Sequence, residues 1–121
     1  GLIPMYLQTA YKKEPVFGNS KLIYTVGQNT FKEKLGAKFL KLANIHASIK
    51  DKDLEPYKDG NNTAMFRGGA SYADAITFGA EKVDKKLLEE FGKVRGKKVL
   101  PFKPDGDLTD YLQLYTDLSS K

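Results

Sequence analysis

Three short apolar runs, Leu22–Val26, Ala75–Phe78 and Val99–Phe102, punctuate this chain, and segments with apolar residues at helical spacing separate them. The first, Leu22-Ile23-Tyr24-Thr25-Val26, is nearly continuous in β-branched and aromatic side chains, as a strand covered on both faces is. Strands that alternate with helices are joined by crossovers, and crossovers make parallel pairs. The pattern therefore predicts an α/β chain, a partial Rossmann-like arrangement with a three-stranded parallel sheet and flanking helices.

The intervening segments carry their own signals. Leu2 to Tyr11 reads as a short opening helix with Pro4 in its first turn. Thr30 and Glu33 form a capping-box pair, and Phe31, Leu35, Phe39, Leu42 and Ile45 recur at helical spacing behind it, which predicts a long helix there. Asp51 to Asn62, polar and holding Pro56 and Gly60, reads as a loop with a helical turn around Leu54. A helix is expected over Thr63 to Ala73 despite Gly68-Gly69. Asp84 is a candidate N-cap, Val83 and Leu88 are placed as a staple, and Leu87, Phe91 and Val94 continue a stripe to Gly96. A last helix from Asp107 should present Leu108, Tyr111, Leu112, Tyr115 and Leu118 on one face.

At 121 residues the chain can build one core. We expect one partial α/β domain over 1–121, truncated on its N-terminal side, because it opens with a helix that no strand precedes. An uncovered sheet edge, or the apolar face beneath it, would then pair with a second copy. No apolar run approaches the ~20 residues of a membrane span, so no membrane partner is expected. With no signal peptide at the start and no cysteine, a cytoplasmic location is expected. The net charge of +5 raises nucleic-acid binding as an alternative. Against it, the lysines are spread over Lys12-Lys13, Lys32 to Lys41, Lys85-Lys86 and Lys97-Lys98 and interleave with acids.

Ligands of open α/β sheets bind beyond the carboxyl ends of the strands. That rule selects Gly27-Gln28-Asn29-Thr30, Gly79-Ala80-Glu81 and Lys103-Pro104-Asp105-Gly106. Gln28 and Asn29 suit a polyol, since an amide both donates and accepts; the bland alternative is an ordinary turn with Gly27 at a special backbone angle. Arg67-Gly68-Gly69 could bring a guanidinium and bare backbone to a phosphate, or the glycines could serve close helix packing. Asp51-Lys52-Asp53 has the form of a metal-binding Asp-x-Asp but reads as a solvated turn. His46, the single histidine, reads as the polar end of a helix. No catalytic triad, phosphate loop or zinc-ligand set can be assembled, so no catalytic residue, metal ligand or cofactor is assigned.

Taken together, Gly1–Leu7, Pro15-Val16-Phe17 with Lys21–Val26, and Arg67-Gly68-Gly69-Ala70-Ser71-Tyr72-Ala73-Asp74-Ala75-Ile76-Thr77 resemble the interior of the starch synthase catalytic domain of bacterial glycogen synthases. The resemblance implies a GT-B fold of two Rossmann-like domains. It also implies transfer of glucose, with retention and without metal, from ADP-glucose or UDP-glucose to a 1,4-α-glucan. Gly27-Gln28 stand where the family pattern has His-Asn, Arg67 replaces the Lys of Lys-Gly-Gly, and Phe78-Gly79-Ala80 replace Thr-Val-Ser. The expected function is accordingly a glucosyltransferase fragment that is inactive alone. The rival is a catalytically dead glycosyltransferase-like module kept for assembly or regulation.

Overall fold

A computed structural model describes residues 1–28, 31–83, 85–92, 96–104 and 108–120. In chain order the elements are α1 (Ile3–Gln8), β1 (Ile23–Val26), α2 (Phe39–Ala43), α3 (Asp51–Leu54) running into a 3-10 turn (Glu55–Tyr57), α4 (Asn62–Tyr72), β2 (Ala75–Phe78), α5 (Lys85–Gly92), β3 (Lys98–Leu100) and α6 (Thr109–Ser119). The three expected strands form one parallel sheet of order β1-β2-β3, with Ile23 opposite Ala75 and Ile76 opposite Val99.

Because strand side chains alternate between faces, the sheet has two separate interiors. Val26, Ile76 and Phe78 point to the face covered by α4 and α5, where they meet Ala70, Leu87 and Phe91. Ile23, Ala75 and Leu100 point to the other face, where Leu114 and Leu118 of α6 cover them. A third cluster lies outside the sheet: Met5, Ala43, Ile49, Leu54 and Tyr57 bind α1, α2 and α3 to the outer side of α4. Helix α4 is thus clasped between sheet and outer helices.

At its foot the sheet is tied by polar groups. The Asp74 carboxylate accepts from Leu22 N at 2.8 Å, and Asp74 N donates to Leu22 O at 2.7 Å, joining the start of β2 to the entry of β1. Lys97 donates from its ammonium to the carbonyls of Ala70 and Ser71 in the last turn of α4, the negative end of the helix dipole. Burial there lowers the Lys97 pKa, and Asp74 opposes the shift.

Three sequence expectations are corrected. The long helix expected behind Glu33 reduces to α2, with Phe31 to Lys38 outside any helix. Leu35 N–H donates to Gly60 O at 2.7 Å, and Gly36 weakens any helix through it, so Leu42 and Ile45 end 74% and 56% exposed. In α6 the buried residues are Leu114 and Leu118, and Leu108, Leu112 and Tyr115 are exposed, because the sheet takes a different side of the helix from the longest apolar stripe. The third strand is Lys98–Leu100 and stops before Pro101, which has no N–H to give. The Thr30 half of the capping box, the Asp84 cap, Val94 and Asp107 lie outside the described residues.

Candidate functional site

The parallel strands bring their carboxyl ends to one rim. Val26, the last residue of β1, accepts from Gly79 N at 2.9 Å just beyond β2, so the two ends are locked together. Below that contact Thr25 Oγ1 and Thr77 Oγ1 are 2.9 Å apart in a cross-strand hydrogen bond. Gly79 suits this closeness, since a Cβ there would stand 3.1 Å from Thr25 Cγ2, a tight contact.

Gly27 follows β1 half-buried, without positive φ and with open space where a Cβ would be, so the special backbone angle expected for it is absent. Gln28 is exposed beyond it. Asn29, the third candidate here, lies outside the described residues, as do Thr30, Asp105 and Gly106. Between the ends of β2 and β3 opens a cleft of about 290 Å³, with Phe78, Val83, Leu88 and Phe102 as its apolar lining and Glu81 and Lys82 as its charged residues. At the end of β3, Lys103 is 2.8 Å from Asp110 of α6.

Arg67, Gly68 and Gly69 serve α4 itself. The Arg67 guanidinium forks onto Pro56 O through Nε at 3.1 Å and Nη2 at 2.9 Å, donates to Asp59 at 3.0 Å, and has Glu90 of α5 at 3.7 Å. A Cβ at Gly68 would fall 2.1 Å from the Tyr57 ring, and one at Gly69 2.5 Å from the Tyr24 ring. One bare face of α4 admits the outer helices and the adjacent one admits the sheet. Burial raises the pKa of Tyr57 and of Tyr24, so both rings stay neutral and the Tyr57 hydroxyl donates to Gly1 O at 2.9 Å.

Asp53 accepts from Lys50 N at 2.9 Å and caps the short α3, while Asp51 is exposed in its first turn. His46 is exposed past the end of α2, its Nδ1 accepting from Ser48 N. Of the basic pairs, Lys97 caps α4 and Lys98 pairs with Asp117.

The sequence reading missed Asn61 and Asn62. Asn61 Oδ1 accepts from Ala64 N at 2.8 Å and caps α4, and Asn62 is buried with its Nδ2 unpartnered in that first turn. An Asn immediately ahead of a helical stripe is the signal that could have found the cap. Among the described residues no helix is long and apolar enough to cross a membrane.

Residues 1–100 match the family described as starch synthase catalytic domain. Over 95 residues the chain is 26% identical to a protein named glycogen synthase from Pseudothermotoga lettingae, which covers 77% of this chain. The chain spans 19% of that relative's length. No solved structure matches it.

Proposed function

Because the chain belongs to the starch synthase catalytic domain family, we propose that it forms one wall of a nucleotide-sugar-dependent glucosyltransferase cleft. The donor is ADP-glucose or UDP-glucose, the acceptor is a 1,4-α-glucan, and the parent protein is of the two-domain GT-B kind, working in the cytoplasm. The observation that carries this is the gathering of the ends of β1, β2 and β3 at one rim, where Gln28 is exposed and the cleft beside Phe78 and Phe102 opens.

In this reading the amides of Gln28 and Asn29 hold sugar hydroxyls, and Gly27 lets the ligand approach the backbone. Arg67, Gly68 and Gly69 act at a distance by holding α4 in place. The chain alone does not transfer glucose. Stabilising a departing diphosphate needs converging cationic groups, and here the Arg67 guanidinium is engaged with Pro56, Asp59 and Glu90 while Lys103 pairs with Asp110.

Titration calorimetry with ADP-glucose, UDP-glucose and maltooligosaccharides, beside a labelled-glucose transfer assay, tests this. Heat with one of these ligands and no transfer is expected; no heat with any of them removes the proposal.

A second reading, a module without catalysis kept for assembly or regulation, is favoured by Gly27-Gln28 standing in place of the family's His-Asn. The double variant Gly27→His, Gln28→Asn separates the two. It strengthens sugar binding if the rim is a ligand wall and leaves the heats unchanged if the rim has been given up.

A further inference from the structure

Helix α6 is apolar on two sides, and the sheet uses one. Leu114 and Leu118 are buried on Ile23, Ala75 and Leu100. On the adjacent side Leu108, Leu112 and Tyr115 are 64%, 64% and 49% exposed, and with Tyr111 they line an open groove of about 410 Å³.

The border of this stripe selects its occupant. Toward solvent it is flanked by Thr109, Gln113 and Thr116, all uncharged, while the helix's acids Asp110 and Asp117 are paired with Lys103 and Lys98. In a protein of net charge +5, two copies repel through most of their surface and meet at least cost through an uncharged face. The stripe is also complementary to itself. Its centre lies between Tyr111 and Leu112, so a two-fold axis there sets two α6 helices antiparallel. Leu108 then faces the partner's Tyr115, and Tyr111 faces the partner's Leu112, a branched side chain against a ring at every level. Antiparallel dipoles add to the fit.

We infer that α6 is a self-association helix, and that a second copy of this chain covers Leu108, Tyr111, Leu112 and Tyr115 about a two-fold axis. The stripe offers on the order of 400 Å² per copy, half the ~800 Å² of a standard interface, so the dimer is weak and concentration-dependent.

Sedimentation equilibrium of the 121-residue chain from about 10 µM to about 1 mM should show the mass rising toward twice the monomer. Leu112→Lys, at an exposed position that leaves folding intact by circular dichroism, should raise the dissociation constant about tenfold or more, because the axis applies the charge twice. The chain has no cysteine, so Leu112→Cys under mild oxidation should link two copies much faster than Leu42→Cys, whose position is exposed on α2. A monomer throughout the concentration range, or equal linking of the two cysteine variants, overturns the inference.

Discussion

Gly68 and Tyr57 are packed so closely that a methyl group on the glycine would lie 2.1 Å from Tyr57 Cε1. Tyr57 is fully buried and held by its hydroxyl to Gly1 O, so the ring has no direction in which to yield. In an exposed helix Gly→Ala stabilises by up to ~1 kcal/mol. Here the sign reverses: Gly68→Ala should destabilise by about 3 kcal/mol through overpacking, and Gly69→Ala, against Tyr24, by a comparable amount. Gly27→Ala, with open space and no positive φ, should stay within about 0.5 kcal/mol of the parent. Urea unfolding of the three variants checks this.

Arg67→Lys should destabilise by about 1–2 kcal/mol, because an ammonium cannot fork onto Pro56 O while also reaching Asp59. Its affinity for any sugar ligand should be unchanged once the variant is folded. Urea unfolding paired with calorimetry reads both, and a lost affinity at unchanged stability would return Arg67 to the ligand.

Gln28→Ala should behave in the opposite way. The side chain is exposed, so the unfolding midpoint should not move, while the affinity for the ligand found by calorimetry should fall about three- to tenfold with the loss of one or two hydrogen bonds.

Asp74→Ala should cost about 1–3 kcal/mol, since it leaves Leu22 N–H without its acceptor at the entry of β1. Hydrogen exchange should then quicken at Leu22 ahead of the amides of β2.

Alkaline pH should unfold the protein early. Burial raises the pKa of Tyr57, Tyr24, Tyr72 and Tyr6 above the ordinary value of 10.0. The folded state therefore holds protons that the unfolded chain releases, and this stability is complete below pH 10 and declines as pH rises beyond it. Lys97, with its pKa lowered by burial, acts in the opposite sense just below 10.5. Thermal melts from pH 7 to about pH 11 should show the midpoint dropping above pH 10, and Tyr57→Phe should flatten the drop.

The strands were legible because a four-residue run such as Ala75–Phe78 must be apolar on both faces to sit in the middle of a parallel sheet, and such a run has few other uses. Helix α4 was legible too, from Thr63 onward, although its glycines weaken it as an isolated helix. Periodicity failed where it had two answers. Phe31 to Ile45 has helical spacing, but Leu35 N–H goes to Gly60 O, a partner 25 positions away in sequence that no local pattern can announce. In α6 the pattern offered Leu108, Tyr111, Leu112, Tyr115 and Leu118 as one face; of these Leu118 is buried beneath Ala75, and the missed Leu114 is buried with it.

The candidate site divides in the same way. The topological rule placed a rim after Val26, Phe78 and the third strand, because parallel strands with crossovers must end together. What the Arg67-Gly68-Gly69 candidate does was decided by packing. Arg67 turned to Pro56, Asp59 and Glu90, and Gly68 and Gly69 gave their space to Tyr57 and Tyr24.

Residue type and spacing were enough for the three parallel strands and, through the segments Gly1–Leu7, Lys21–Val26 and Arg67–Thr77, for the family. Those properties depend on residue type and local spacing, which a linear string records. Which side of each helix is covered, and which polar groups are already engaged, came from long-range packing. Burial and hydrogen bonding are settled by neighbours distant in the chain, and the same apolar or charged residue is core, cap or open surface according to what folds against it.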